Sequence, residues 1–137
     1  MESKNYTLVD AWLQYHQLLE EAGDLSAESG IGGTYLWAID ELDALASRDP
    51  EKCWTLILEI LTRATSDYQR ASLSAGLLED LLVRHGAQFI DRIEELAKKD
   101  SGFRYLLSGV WRRTIDTKVW ERLEALKSSN SATWGQI

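Results

Sequence analysis

Side chains with the capacity for chemistry gather between Leu77 and Asp100, with one tryptophan further along the chain. They combine carboxylates, guanidinium groups and an imidazole, namely Glu79, Asp80, Arg84, His85, Asp91, Arg92 and Trp111. Such a set can bind a small polar ligand or transfer protons if its members converge in one pocket. Glu79 and Asp80 are adjacent, so on a helix they point in different directions and do not form a facing acid–base pair. The alternative interpretation is a solvated helix surface with local caps.

The sequence lacks the usual motifs of metal sites and of catalytic nucleophiles. His16 and His85 are the only histidines, and neither an HExxH nor a CxxC motif is present. Cys53 is the only cysteine, and no motif that supplies a base surrounds it. The glycines at 30, 32 and 33 are not followed by the Lys-Ser/Thr of a phosphate loop. We therefore expect no metal site, no cofactor and no catalytic residue, and the protein is predicted not to be an enzyme.

Apolar residues recur at spacings of three and four along most of the chain, which is the period of an amphipathic helix. The stripes predict helices at 6–22, 35–47, 50–65, 67–75, 77–100 with a break at Gly86, 103–111, and after Asp116. Asp49-Pro50-Glu51 is typical of a helix start, because a capping carboxylate precedes proline at the first helical position. Gly86 is expected to end its helix in the left-handed conformation. No alternating run of β-branched residues predicts a strand.

The predicted fold is a single all-α domain of about seven helices over residues 1–137. Successive helix pairs, at 35–65, 67–85 and 87–111, are weakly alike in length and turn placement. This similarity favours antiparallel helical hairpins stacked as in a short α-solenoid, and an irregular bundle is the alternative. The Gly- and Ser-rich segment 23–34 is expected to be a flexible loop, and 128–137 a loose C-terminal tail.

Three features predict a cytoplasmic protein. The N-terminal residues do not form the apolar segment of a signal peptide. No run approaches the roughly 18 apolar residues that a membrane helix needs. Cys53 has no second cysteine in the chain with which to form a disulfide.

Charge is distributed unevenly. Residues 1–83 hold 15 acidic and 5 basic side chains, a net of −10, whereas residues 84–137 hold 7 acidic and 10 basic, a net of +3. The whole chain therefore carries −7, which disfavours nucleic acid because phosphates need cationic surface. Trp111-Arg112-Arg113 with Lys118 and Arg122 is the one basic cluster with an aromatic that would suit a nucleic acid. The acidic half instead favours a basic partner.

Trp37 lies off the apolar stripe of its predicted helix, beside carboxylates. An exposed tryptophan with a charged rim is typical of an interface anchor, and the alternative is that Trp37 packs under the preceding loop. Our hypothesis is a non-catalytic protein-binding module, most concretely an immunity or inhibitor protein that neutralises a basic toxin. The expected partner-binding residues are Trp37, Asp40, Glu41, Asp43, Glu20 and Glu21. A small-ligand binder or enzyme built on the cluster around Glu79, and a homo-oligomeric helical scaffold, are the alternatives.

Four segments carry a family resemblance: Trp54–Leu61, Leu78–Leu82 with His85-Gly86, Phe89–Glu94, and Phe103-Arg104 with Gly109–Arg112. Together they resemble an uncharacterised family of small bacterial all-helical domain proteins. The similarity covers about residues 50–125. It implies a bacterial helical domain and brings no activity, cofactor or partner with it.

Overall fold

The computed structural model describes residues 4–22 and 35–128, and within these ranges the chain forms helices and no strand. In chain order the helices are α1 (Lys4–Ala22), α2 (Leu36–Arg48), α3 (Pro50–Arg63), α4 (Asp67–Leu73), α5 (Glu79–Lys99), α6 (Ser101–Leu107) and α7 (Thr117–Ser128). The prediction of a single all-α domain with about seven helices is confirmed.

Two segments to which the sequence assigned a role lie outside the described residues. They are the predicted flexible loop at 23–34 and residues 129–137 of the predicted tail at 128–137. Ser128, the first residue of that predicted tail, is the last residue of α7. Among the helices that are described, none combines the length and the apolar character needed to cross a membrane.

Short polar side chains fix where the helices begin. Asp49 accepts a hydrogen bond from the Lys52 amide at 3.2 Å, with Pro50 next to it at the first helical position. Ser66, Asp100 and Asp116 cap α4, α6 and α7 in the same way. Each cap pairs an amide that the helix itself leaves without a partner, which contributes about 1 kcal/mol.

The core is one contiguous apolar cluster with α5 at its centre. This helix contacts α2, α3, α6 and α7, while α1 packs on α2, α3 and α4. The Trp54 ring lies 5.5 Å from that of Phe89 and 5.8 Å from that of Phe103. Burial of each such side chain contributes roughly 1.5–3 kcal/mol. The helices that surround α5 differ in length, from seven residues in α6 to 14 in α3.

No boundary separates α4 from α5, although the sequence predicted one at Gly76. A π-helical turn, Ser74–Leu78, carries the helix through without a break. The break predicted at Gly86 is present as a kink at the half-buried His85, whose φ and ψ are −139° and 28°.

The conformation predicted for Gly86 is wrong, because its φ is not in the left-handed region. Gly86 is buried. A Cβ atom at this position would lie 3.0 Å from Cγ1 of Val119. Glycine is therefore needed here for the close approach of α7 to α5, not for a turn.

Three buried polar side chains lie along the continuous helix from α4 to α5, and each fastens it to another part of the fold. Gln69 donates to the Leu13 carbonyl of α1 at 3.1 Å. Ser74 donates to the Leu106 carbonyl of α6 at 2.7 Å. The third is Glu79, only 5% exposed. Buried polar groups destabilise a fold unless they are paired, so these bonds help to set the register of the central helix.

Candidate functional site

Two large apolar side chains are exposed among the described residues, and both are tryptophans. Trp37 is 48% exposed and Trp111 is 74% exposed, whereas Trp12 and Trp54 are buried in the core. Exposed aromatics of this size mark candidate contact sites, since they are concentrated in protein interfaces. We define the Trp37 surface as Trp37, Asp40, Glu41 and Asp43, and the Trp111 loop as residues 108–116.

Helix α2 alone positions the Trp37 surface. Its buried stripe consists of Ala38, Leu42, Leu45 and Ala46. With that stripe in the core, the helical period directs Trp37 and Asp40 outwards. Glu41 is partly exposed and pairs with Arg48 of the same helix at 2.8 Å.

Negative charge on the Trp37 surface is incompletely neutralised. Neither Asp40 nor Asp43 has an ion-pair partner within 4–22 and 35–128. Burial raises the pKa of Asp43, and the negative charges of Asp80 and Asp40 raise it further, while Arg84 opposes them. Asp43 therefore stands in a local negative potential to which α5 contributes through Asp80.

The two remaining residues of the predicted partner-binding set lie on the last turn of α1. Glu20 accepts a hydrogen bond from the Ser66 hydroxyl at 2.9 Å, at the turn between α3 and α4. Glu21 accepts one from Gln17 at 3.1 Å. Both carboxylates are exposed. Their hydrogen bonds lead to α4 and α1 rather than to α2.

The chemical cluster predicted along α5 is divided among separate partners. Arg92 forms two hydrogen bonds to Glu51 of α3, at 2.7 and 2.8 Å. Asp91 pairs with Arg122 of α7 at 2.6 Å. These exposed pairs tie α5 to its neighbours and add little stability, because solvent screens them. Arg84 is exposed on the same helix.

Glu79 and Asp80 form a clamp on the Trp111 loop. The buried Glu79 carboxylate accepts a hydrogen bond from the Trp111 backbone amide at 2.9 Å. Arg113 donates to Glu79 at 3.2 Å and to Asp80 at 2.8 Å. The hydrogen bonds to Asp80 and Glu79 raise the pKa of Arg113 above its ordinary value. The clamp brings together three members of the predicted cluster, but through the backbone of Trp111 rather than its indole.

Arg113 is the member of this clamp that the sequence did not assign to it. The sequence grouped it with the basic residues near Trp111, whereas in the fold it pairs with the acids of α5. Its φ of 47° places it in the left-handed region, which is unusual for a residue other than glycine. Since 34 positions separate Arg113 from Glu79, no local pattern signals the pair.

A groove with a volume of about 650 Å³ lies between the end of α3, the start of α4 and α6. Its lining includes Leu61, Asp67, Arg70, Ser101 and Tyr105. Arg70 pairs with Asp67 at 3.1 Å. Burial raises the pKa of Tyr105, and the charge of Asp67 adds to the effect. None of these residues was singled out from the sequence, because they come from three helices. A smaller groove of about 390 Å³ along α3 and α5 includes Asp91 and Arg92.

Residues 26–131 match the model of a family of unknown function, DUF6869. The chain belongs to this family. No curated protein and no solved structure matches it. The resemblance found from the sequence, to an uncharacterised family of helical domains, is thereby confirmed. The DUF6869 region contains the Trp37 surface, the Trp111 loop and the clamp, whereas Glu20 and Glu21 precede it.

Two reactive side chains of this DUF6869 chain are held in their neutral forms. Burial lowers the pKa of His16 to about 4, and its Nδ1 atom is buried without a hydrogen-bond partner among the described residues. The centroids of the His16 and Trp12 rings lie 4.2 Å apart. Burial raises the pKa of the Cys53 thiol to about 12, so Cys53 is not a thiolate at neutral pH. Across the described ranges, no group of three or more potential ligands is arranged to hold a metal ion.

Proposed function

We propose that this DUF6869 protein is a non-catalytic protein-binding module of the bacterial cytoplasm. In its most concrete form it is an immunity or inhibitor protein that neutralises a basic toxin. One observation carries the proposal: exposed Trp37 lies on the same helix as Asp40 and Asp43, two exposed carboxylates without an ion-pair partner among the described residues.

Electrostatic repulsion on this surface gives a physical reason for a basic partner. Partial burial raises the pKa of Asp43 most, and the charges of Asp80 and Asp40 add to the rise against the opposing charge of Arg84, so the charged form of Asp43 is disfavoured in the unbound protein. A lysine or arginine of a partner would relieve that repulsion, and the negative potential would speed the encounter. Burial of the Trp37 indole would supply the apolar contact, as aromatic anchors do in many interfaces.

Affinity capture with charge-reversed bait tests the proposal. The full-length protein, its D40K/D43K variant and its W111S variant are immobilised and exposed to native-cell extract at low salt. We expect the wild type and W111S to retain the same basic protein and D40K/D43K to lose it. The purified partner should bind D40K/D43K at least about 100-fold more weakly, since two charges next to the anchor are reversed.

Growth assays test the immunity role separately from binding. Expression of the captured basic protein should arrest growth, and co-expression of the wild type, but not of D40K/D43K, should restore it. Equal binding by the wild type and D40K/D43K would refute the role of the Trp37 surface. Binding without any effect on toxicity would leave a binding module that is not an immunity protein.

The groove beside Tyr105 supports a second candidate function, the binding of a small ligand. Its volume of about 650 Å³ is in the range of ligand sites, and it combines Leu61 with the Arg70–Asp67 pair and the Tyr105 ring. Thermal-shift screening against a metabolite panel tests this candidate. A ligand that raises the melting temperature of the wild type but not of Tyr105→Ala would support it.

A further inference from the structure

The backbone on both sides of Trp111 is fixed although its indole is exposed. Val110 and Ile115 are buried, at 4% and 2% exposure. The Val110 carbonyl accepts a hydrogen bond from Lys127 Nζ at 3.2 Å, and the Ile115 amide donates to the Arg112 carbonyl at 2.9 Å. With the Trp111 amide held by Glu79, the loop has little freedom to withdraw the indole from solvent.

Holding this loop costs free energy. Arg113 adopts a positive φ, which is unfavourable for a residue with a Cβ atom. Glu79 is a carboxylate at 5% exposure, and desolvation of such a group is unfavourable unless it is paired. Both groups are used to hold one short connection between α6 and α7. The backbone at Trp111 is therefore fixed in advance, so less backbone entropy is lost when a partner binds there.

Of the charged residues from 111 to 118 without an ion-pair partner in the described part of the chain, two are basic, Arg112 and Lys118, and one is acidic, Asp116. Glu79 and Asp80 are both occupied by Arg113, and Asp116 caps α7 through the Lys118 amide. Arg112 donates only to the Thr117 hydroxyl, at 2.8 Å. Neither Arg112 nor the Lys118 side chain is paired with a carboxylate in the described part of the chain. An incoming ligand therefore meets an exposed indole, with the unpaired Arg112 next to it in the chain and Lys118 at the start of α7.

We propose that the Trp111 loop is a second docking surface, whose occupant is an acidic segment of another protein that carries an apolar residue. The apolar residue would pack on the indole, and the carboxylates would pair with Arg112 and Lys118. Nucleic acid suits this surface less well. The chain has a net charge of −7, and two free cations release few counterions. This inference does not depend on the proposed function, because that function uses a surface of the opposite charge.

Peptide selection tests the proposal. Short random peptides displayed on phage are selected on the immobilised full-length protein and depleted on its W111S variant. We expect the enriched peptides to be acidic and to contain at least one bulky apolar residue. A fluorescein-labelled representative should bind W111S about tenfold or more weakly than the wild type, and R112E/K118E likewise. The W37S variant should bind it as the wild type does.

Three results would overturn the proposal: enriched peptides that are basic, no peptide whose binding depends on Trp111, or equal binding by R112E/K118E and the wild type. A labelled oligothymidylate that binds with the same dependence on Trp111 would assign the loop to nucleic acid instead. Circular dichroism establishes that each variant is folded before binding is compared. The substituted side chains are all exposed, so the fold should tolerate their replacement.

Discussion

Trp37 and Trp111 are both exposed, but the protein displays them by different physical means. Trp37 projects from the outward side of a regular helix, whose buried stripe is formed by residues near it in sequence. Trp111 lies in a loop that is held by the buried carboxylate of Glu79. Asp40 and Asp43 beside Trp37 lack ion-pair partners among the described residues, whereas Glu79 and Asp80 below the Trp111 loop pair with Arg113. A helix thus presents Trp37 beside unpaired carboxylates, and a clamp holds the loop that presents Trp111 next to the unpaired Arg112.

Removal of the clamp should give the largest difference between the two surfaces, because it should affect the Trp111 loop and leave the Trp37 surface unchanged. In Glu79→Ala the Trp111 amide and Arg113 lose their buried partner, so we expect the free energy of unfolding to fall by about 2–3 kcal/mol. Urea denaturation measures this change. Peptide binding at the Trp111 loop should be lost, while binding at the Trp37 surface is kept.

Glu121→Ala is the matched control for Glu79→Ala, because it removes an exposed carboxylate from α7. Its effect on stability should lie within about 0.5 kcal/mol. If both variants were equally stable, the clamp would not contribute to the fold and the contrast between the two surfaces would lose its basis.

A methyl group at the kink should disturb the α7 side of the molecule. Gly86→Ala places a Cβ atom 3.0 Å from Val119, and the overpacking cost of about 1–3 kcal/mol should exceed the gain of about 1 kcal/mol in helix propensity, so we expect a net loss of up to about 2 kcal/mol. Gly76→Ala provides the control, since a Cβ atom there meets no atom within 4 Å. Alanine favours helix by about 1 kcal/mol over glycine, so this second variant should be stabilised. Thermal unfolding of the two variants should therefore shift in opposite directions.

His16 in α1 lies outside both surfaces, and it should make the free energy of unfolding depend on pH. His16 has a pKa of about 4 in the folded protein and 6.5 when unperturbed. Between these values the unfolded chain binds a proton that the folded chain does not, so stability should fall as pH falls from 6.5 to 4. The loss should be on the order of 1–2 kcal/mol after allowance for partial exposure. His16→Phe retains a ring and should flatten this part of the profile in urea titrations at several pH values.

The smallest effect is expected at the Trp37 surface, with the opposite dependence on pH. The pKa of Asp43 is raised in the folded protein, so its carboxylate destabilises the fold above its ordinary pKa of 3.8. Asp43→Asn should therefore stabilise the protein at neutral pH, by at most about 0.5 kcal/mol. That advantage should vanish when the pH falls below 3.8. A destabilised Asp43→Asn at neutral pH would mean that Asp43 has a favourable partner, contrary to the proposed binding surface.

The sequence by itself determined the helices, several of their starts and the family. Apolar spacing, the capping residues Asp49 and Asp116, and the position of Trp37 off its stripe are all local properties. They depend on the 3.6-residue period and on hydrogen bonds between close neighbours, so they can be read without knowledge of the fold. The family resemblance also depends on contiguous segments.

Only the tertiary structure decided how these helices meet and which side chains pair. The sequence extended the stripe of the 103–111 helix to Trp111, but α6 ends at Leu107 and the indole is exposed. The role of Gly86 depends on Val119 of another helix, and the Glu79–Arg113 pair joins residues 34 positions apart. Such contacts depend on the relative placement of packed helices, which no local period encodes. For the same reason the sequence predicted the exposed position of Trp37 but not the clamp that holds the Trp111 loop.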